Sequence, residues 1–315
     1  ALGLVTPATS FLTIVGCVVY GTIGLYCFGE VSRAVQGSNL QLSLAKLYVF
    51  VDDFRGSWQR SSRQERRFFF AAWALSCLAF AAAQGMESWL QEKRSPSMDV
   101  QLDFAGPLLH VSHGLFVVAF GATSALVFMF AFVHSHILIG LDNSLDCWCC
   151  DLVNDPDFHG GIQSWNLLQA LLKAIGRELA FSLAIAQGMG YFGLVLFLVK
   201  LFDVLLRSEL EPYPIIAEAL ASIPLLVLLA LNLRVCSHAA ALTEKCRVIP
   251  AFVSQIPSGI VADTARQYLV RYVSDSCAGF FVGSIRLTQE VFFKQMYLLA
   301  TLLSGLAGVI ARAYL

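Results

Sequence analysis

Six long runs of apolar residues are the feature that most constrains how this chain can fold. They cover roughly residues 10–28, 68–86, 107–139, 179–206, 213–235 and 291–312. A helix needs about 20 mostly apolar residues to cross a bilayer, because its backbone polar groups must be satisfied within the segment. Only 14% of the 315 residues are charged, whereas soluble domains are about a quarter charged. The sequence therefore predicts an all-α, polytopic membrane helical bundle that forms a single domain over 1–315.

The third and fourth apolar runs are longer than a bilayer requires. We expect them to tilt, or to continue as helices beyond the membrane. Between the runs, residues 40–54 and 162–176 place apolar residues three and four apart, which is typical of helices packed on one face. Pro250 and the prolyl-glycyl stretch near 257–259 predict one helix through about 249 and another over about 261–276. The sequence thus predicts a helical pedestal on one side of the membrane, built from 29–67, 138–177 and 234–280.

Lysine and arginine counts predict which side carries the pedestal. The three pedestal segments hold 14 of these residues, whereas the opposite connections, 85–106 and 207–212, hold 3. Positive residues are retained in the cytoplasm, so we expect the pedestal to be cytoplasmic and the C-terminus to be extracellular or lumenal, with the plasma membrane as the expected location. If one span precedes residue 1, the chain has seven spans in a topology opposite to that of G-protein-coupled receptors.

The C-terminal segment carries a motif. After the predicted helix at 261–276 comes "SCAGFFVGSIRLTQ", with Cys277, Gly279, Phe280 and Phe281 followed by Leu287 and Thr288. This segment resembles the C-terminal signature of insect gustatory receptors and their gustatory-receptor-like relatives, most strongly over roughly the last 80 residues. The family's closing Thr-Tyr and Gln-Phe motif is replaced here by "SGLAGVIA". The resemblance implies the seven-transmembrane insect-chemoreceptor fold, a ligand-gated cation channel, and a homotetramer whose last helices line a central pore.

The last apolar run carries the predicted pore face. From Gln295, the positions Leu298, Leu302, Gly305 and Val309 recur three or four residues apart along one helix face. A polar residue followed by an apolar stripe could solvate ions at the inner end and close the pore by dewetting. Any buried helix would also show such a stripe, so the pattern leaves both interpretations open.

The Gly-Phe-Phe turn is predicted to be a structural junction. We expect Gly279 to relax the backbone where two helices meet, and Phe280 and Phe281 to anchor the junction in the pedestal. Arg286, Glu290 and Lys294 follow at helical i, i+4 spacing. The alternative is an ordinary interfacial helix start with snorkelling charges.

Polar residues within the apolar runs are the candidates for a ligand site, because they are costly when they face lipid. The predicted pocket under the external surface is formed by His113, Phe116, Gln187, Tyr191 and Glu218. A pair of histidines at 110 and 113 lacks further ligands at compatible depth, so we expect no metal site and no cofactor.

The cysteine cluster "CWCC" at 147–150 leaves three interpretations open. It could bind zinc, although it lacks the paired two-residue spacing of structural zinc modules. Juxtamembrane cysteines are also acylation candidates. The third interpretation is packing of unmodified side chains.

Other function classes fit the sequence less well. No histidine boxes, Gly-x-Ser-x-Gly elbow or His-Glu-x-x-His pair occur, so we expect no enzyme. A net charge of −1 without a long basic run gives no phosphate-binding surface for nucleic acid. The expected partners are membrane lipid, a small-molecule ligand and further copies of the chain. The first alternative is a receptor-like fold without channel activity. The second is a secondary transporter, because Pro214 and Pro224 interrupt the fifth run and Gly188, Gly190 and Gly193 loosen the fourth.

Overall fold

In the part of the chain that the structure describes, the fold is helical apart from one short hairpin and the turns between elements. The computed structural model describes residues 11–35, 39–52, 54–94, 105–206, 212–257 and 260–314. The elements in chain order are α1 (Phe11–Val35), α2 (Asn39–Phe50), α3 (Arg55–Arg94), α4 (Ala105–Asn154), α5 (Phe158–Leu206), α6 (Pro212–Ser254), α7 (Ile260–Asp275), β1 (Phe281–Val282), β2 (Ile285–Arg286) and α8 (Gln289–Tyr314).

The helices are long enough both to span a bilayer and to project beyond it. Among the described residues, α1, α3, α4, α5 and α6 are long and apolar enough to cross a membrane. The 50 residues of α4 extend about 75 Å at about 1.5 Å per residue, while the hydrocarbon core is about 30 Å thick. The predicted all-α membrane bundle is therefore confirmed. The lengths of α4 and α5 are consistent with the third and fourth apolar runs continuing as helices beyond the bilayer, which stays a prediction.

Two helix boundaries differ from the prediction. The segment at 162–176 is not a separate helix, because α5 runs without a break from Phe158 to Leu206. Pro250 does not end α6, which continues to Ser254. A proline lacks only its own N–H and can be accommodated when its neighbours are held by packing, and Ile249 and Val253 on either side of Pro250 are both buried.

The pedestal has an aromatic core where α4, α5 and α7 meet. Trp148 and Trp165 are buried, with ring centroids 5.0 Å apart. Trp165 Nε1 donates to Ser276 Oγ at 3.1 Å, and Gln169 Nε2 donates to the Ser276 carbonyl at 2.7 Å. Each buried indole N–H thus has a partner, since Trp148 Nε1 donates to Ser164 Oγ at 3.0 Å. These contacts hold the end of α7, and therefore the start of the junction to α8, against α5.

The spanning part packs around Tyr20 of α1. Its ring lies 5.0 Å from Phe120, which in turn stacks on Phe80 at 4.0 Å. Its hydroxyl donates to the Pro224 carbonyl of α6 at 2.7 Å. This hydrogen bond joins α1 to α6 beside the proline, and α6 remains one continuous helix there.

Two glycines of α5, Gly190 and Gly193, are packing positions, whereas a Cβ at Gly188 would have nothing within 4 Å. A Cβ at Gly190 would lie 2.8 Å from Asn232 Nδ2, and one at Gly193 would lie 3.1 Å from Leu225 Cδ2. The glycines therefore let α6 approach α5 closely. The broken helices expected of a transporter are not formed, because α5 and α6 both run through these residues.

Candidate functional site: the α8 junction and its neighbours

The connection from α7 to α8 is a turn followed by a two-residue hairpin. Cys277 has a positive φ of 47° and Gly283 a φ of 62°. Phe281 pairs with Arg286, and Val282 with Ile285. Gly283 begins the two-residue hairpin turn, where a positive φ favours glycine. The hairpin was not predicted from the sequence, although Gly-Ser between short apolar stretches is a recognised hairpin signal.

Gly279 has a different role from the one predicted. The positive φ angles of the junction lie at Cys277 and Gly283 rather than at Gly279. A Cβ at Gly279 would instead lie 2.8 Å from Arg286 Nε and 2.9 Å from Thr243 Cγ2. Glycine is therefore required here because two side chains pass close to the backbone.

Phe280 anchors the junction in the pedestal. Its side chain is 1% exposed and lies beside Gly176 of α5, where a Cβ would be 3.9 Å from the ring. Its N–H donates to Thr243 Oγ1 of α6 at 3.0 Å, and its carbonyl accepts from the Leu287 N–H at 2.9 Å. Phe281 is only half-buried. The junction is thus held mainly by Phe280, through both its ring and its backbone.

The predicted helical series of charged residues begins at Glu290 and not at Arg286. Arg286 belongs to β2, and its guanidinium donates to the Ala278 carbonyl across the junction. Glu290 and Lys294 do form the i, i+4 pair, with Nζ 2.7 Å from Oε1. The hydrogen bond from Lys294 lowers the pKa of the Glu290 carboxyl below its usual value. Arg286 therefore closes the junction and is not part of the α8 charge series.

Thr288 starts α8 as its N-cap. Thr288 Oγ1 accepts from the Val291 N–H at 3.3 Å, and the Thr288 carbonyl accepts from the Phe292 N–H at 3.1 Å. A threonine hydroxyl in this position satisfies one of the N–H groups that the first helical turn leaves open. Leu287 and Thr288 of the motif thus orient α8 as it leaves the pedestal.

The predicted pore residues lie on one face of α8. Leu298 is 55% exposed and Leu302 is 42% exposed, while Gln295 is half-buried and Gly305 is exposed. The side chain of Val309 lies outside the described part of the chain. Leu299, in contrast, is buried against the rest of the subunit at 6% exposure. A single copy therefore covers one narrow side of α8 and leaves the predicted pore face uncovered.

An open concave surface runs along α8 where it faces the end of α6. Its volume is about 870 Å³. Its lining is mixed, with charged residues toward the pedestal and apolar ones toward the membrane: Glu244, Arg247, Gln289, Glu290, Phe293, Lys294, Tyr297, Leu298 and Thr301. This surface is large enough to receive side chains of another polypeptide.

A buried polar cluster joins α1, α3 and α4 near the predicted external end. His113 Nδ1 lies 2.7 Å from Gln84 Oε1, and Gln84 Nε2 donates to Glu87 Oε2 at 3.1 Å. Thr13 Oγ1 donates to Glu87 Oε1 at 3.2 Å. Beside it is a cavity of about 420 Å³, lined by Ala81, Gln84, Gly85, Ser88, Trp89, His113, Gly114 and Val117. His113 of the predicted ligand pocket therefore belongs to an observed cavity.

The other predicted pocket residues lie elsewhere in the bundle. Gln187 of α5 donates to Cys236 Sγ of α6 at 2.6 Å. Glu218 of α6 lies 3.6 Å from Lys200 Nζ of α5. Tyr191 is half-buried on α5, and Phe116 of α4 is 50% exposed. The structure thus places these side chains in α5–α6 contacts and on the surface, and it places His113 in the α3–α4 cavity.

Sequence reasoning missed Gln84 and Glu87 as members of the cluster. Glu87 falls in the predicted connection at 85–106, but α3 continues to Arg94 and Glu87 is 4% exposed. Gln84 and Glu87 are three residues apart and so share a helix face. Two polar residues at this spacing at the end of an apolar run were the sequence signal that could have indicated the cluster.

The cysteine cluster lies within α4. Cys147 is buried, Cys149 is half-buried and Cys150 is exposed, and all three are free thiols. No group of three His, Cys, Asp or Glu side chains that could hold a metal ion occurs within the described residues. The interpretations of this segment stay predictions.

Comparison with known proteins identifies the fold. No protein-family model matches the sequence, and no curated protein does. Among solved structures, the chain is similar to the insect olfactory receptor OR5 from Machilis hrabei, with a TM-score of 0.55 and 12% sequence identity over 97% of this chain and 81% of the receptor chain. The chain therefore has the insect-chemoreceptor fold predicted from its C-terminal motif.

Proposed function

We propose that the chain is one subunit of a gustatory-receptor-like cation channel that opens in response to a small molecule. The observation that carries this proposal is the exposure of α8. Met296, Tyr297, Leu298 and Leu303 are each at least 40% exposed in the single subunit, although α8 begins at a firmly anchored junction. These apolar side chains point to several sides of α8, and a helix that one copy leaves largely uncovered is suited to pack against other copies around a shared axis.

The proposed assembly is a homotetramer, as the family resemblance implies. In it, the α8 helices surround a central pore, with Gln295 at the pedestal end and Leu298, Leu302, Gly305 and Val309 further out. The concave surface between α6 and α8 supports this arrangement, since it carries Arg247 and Lys294 beside Glu244 and Glu290. Charges of both signs along one groove favour a defined register between subunits.

The proposed ligand site is the α3–α4 cavity beside His113. Its volume of about 420 Å³ is within the range of small-molecule pockets. Gln84 and His113 supply polar groups, and Trp89 supplies an aromatic surface. The predicted contributions of Gln187, Tyr191 and Glu218, which lie on α5 and α6, and of Phe116, which is exposed on α4, remain predictions.

A polar substitution in the proposed gate tests the function without a known ligand. In a dry gate, Leu302→Ser admits water and produces a constitutive cation leak in oocyte or planar-bilayer recordings. Leu303→Ser is the matched control, because it is also exposed but is rotated by about 100° on the helix, and we expect no leak from it.

Particle symmetry and surface expression complete the test. Electron microscopy of the purified protein in detergent should show fourfold particles. If Leu302→Ser and Val309→Ser proteins reach the cell surface and pass no ions, the channel function is wrong and a receptor-like fold without channel activity remains.

A further inference from the structure

The inner ends of the α3 and α4 spans enclose a second, almost wholly apolar groove. Its volume is about 390 Å³. Its lining is formed by two matching stripes, one from each antiparallel helix, in which residues recur at i, i+3, i+4 and i+7: Arg66, Phe69, Phe70 and Trp73 from α3, and Ala125, Phe128, Met129 and Phe132 from α4. Helix faces with this spacing are continuous, so the groove runs parallel to the two helices.

The groove has a buried floor and an exposed rim. Phe69 and Phe128 are each 3% exposed and form the floor. Trp73 is fixed at the deep end, because its Nε1 donates to Ser124 Oγ at 3.2 Å. Phe70 and Met129 stand at the rim with 64% and 50% exposure. The shape is therefore set by buried, hydrogen-bonded residues of the subunit itself.

The groove exists because the side chain of Ala125 is small. Every other α4 residue of the lining is a phenylalanine or a methionine. From Arg66 to Trp73 the groove extends about 10 Å along α3, at about 1.5 Å per residue. A slot of this length, lined by aromatic rings and open to the membrane, fits part of a hydrocarbon chain.

One end of the groove is positively charged. Arg66 lines it and is exposed, and Arg63, about one turn before it, and Arg67, the next residue, are exposed too. Within the described part of the chain, no carboxylate forms an ion pair with any of these three arginines, and the intervening Glu65 pairs instead with Arg234. Three uncompensated guanidinium groups at the start of a span lie at the level of lipid headgroups and attract anionic ones.

We propose that this groove, bounded by Arg66 and Trp73, binds an anionic glycerophospholipid of the leaflet next to the pedestal. The phosphate and the acidic headgroup contact Arg66 and its neighbouring arginines. One acyl chain lies between the α3 and α4 stripes and ends at Trp73. The lipid thereby joins the inner ends of α3 and α4.

Quenching of tryptophan fluorescence by brominated lipids tests the proposal. The detergent-purified protein is titrated with phosphatidylserine or phosphatidylcholine carrying bromine on the acyl chain. The other four tryptophans give a background of quenching. We expect a saturable component above it that is absent from the Trp73→Phe protein, with a half-saturating mole fraction about fivefold lower for phosphatidylserine, because each basic residue near the headgroup contributes appreciably.

Two variants and a control distinguish recognition of the headgroup from binding of the acyl chain. Arg66→Gln should abolish the preference for phosphatidylserine, while Ala125→Phe should fill the groove and abolish the quenching of Trp73. Arg177→Gln removes an exposed arginine near the start of the α5 apolar run and should change neither. The proposal is overturned if the two lipids bind equally, or if the Arg66→Gln protein keeps its preference for phosphatidylserine. It is also overturned if Trp73 is quenched as strongly in the Ala125→Phe protein. Displacement of phosphatidylserine by millimolar inorganic phosphate would indicate a site for soluble anions and would overturn it too.

Discussion

Arg234 of α6 forms a bidentate ion pair with Glu65 of α3, with Nε 2.9 Å from Oε2 and Nη2 2.5 Å from Oε1. The Glu65 side chain is 7% exposed, and His238 Nε2 lies 3.6 Å from the same Oε1. The guanidinium also lies over the Phe68 ring at 4.4 Å. A bidentate arginine–carboxylate pair has a fixed geometry, so this contact sets the position of α3 against α6 where the pedestal meets the spans.

Removal of Arg234 should destabilise the fold. Arg234→Met leaves the buried Glu65 carboxylate without its main partner, and we expect a loss of about 2 kcal/mol in the free energy of unfolding. Chemical denaturation in detergent micelles measures it. Arg271→Met, which breaks the exposed contact with Asp275, should stay within about 0.5 kcal/mol of the wild type. Equal effects of the two substitutions would contradict the structural role of the Arg234–Glu65 pair.

The orientation of the bundle is a separate prediction. The pedestal segments hold 14 lysines and arginines against 3 in the opposite connections, which indicates a cytoplasmic pedestal. In intact cells, a membrane-impermeant thiol reagent should label Ser95→Cys but not Ser61→Cys. The exposed native thiols of Cys150 and Cys277 should also stay unlabelled until the membrane is permeabilised. The reverse pattern would exclude the chemoreceptor topology.

Local patterns predicted which segments are helical, but not where helices join. The apolar runs and the i, i+3, i+4 spacing of 162–176 were correct indications of helix, yet that segment and the fourth run form one helix, α5. Gly176 lies at their boundary but does not interrupt the helix, and length alone does not mark a membrane boundary. The helix end predicted at Pro250 is not formed, because the residues on either side of it are packed in the core.

The candidate sites were predictable to different extents. The importance of Gly279 followed from the motif, but its cause is a close approach from Thr243 and Arg286, and sequence spacing does not report contacts between distant segments. The α3–α4 cavity was missed in part because Glu87 was assigned to the connection at 85–106. The α5–α6 placement of Gln187 and Glu218 depends on how whole helices pack, for which a single sequence carries little signal.

Close packing at Gly140 of α4 gives a third prediction. A Cβ there would lie 2.6 Å from Trp58 Cζ2. The Trp58 ring cannot move aside easily, since its Nε1 donates to the His136 carbonyl at 3.0 Å and its ring stacks on His136 at 4.8 Å. Gly140→Ala should therefore cost about 1–3 kcal/mol in unfolding free energy. Gly16→Ala, where nothing lies within 4 Å, should be neutral or stabilising by up to about 1 kcal/mol, and the same denaturation assay compares them.

The junction gives the fourth prediction, which separates packing from ligand binding. Phe280 is 1% exposed, so Phe280→Ala should cost about 3–5 kcal/mol and reduce assembly as measured by size-exclusion chromatography. Phe281→Ala removes an equal ring that is only half-buried and should cost clearly less.

Gly279→Ala should resemble Phe280→Ala, because its Cβ would meet both Thr243 Cγ2 at 2.9 Å and Arg286 Nε at 2.8 Å. We expect a cost of about 1–3 kcal/mol, together with a loosened start of α8, since Arg286 also holds the Ala278 carbonyl. Shortening the obstructing side chain should recover part of this loss, so the Gly279→Ala, Thr243→Ser double variant is expected to be more stable than the sum of the two single variants predicts. If Phe280→Ala and Gly279→Ala proteins instead express, assemble and unfold as the wild type does while their ligand dose-response shifts, the junction contacts ligand and its structural assignment is wrong.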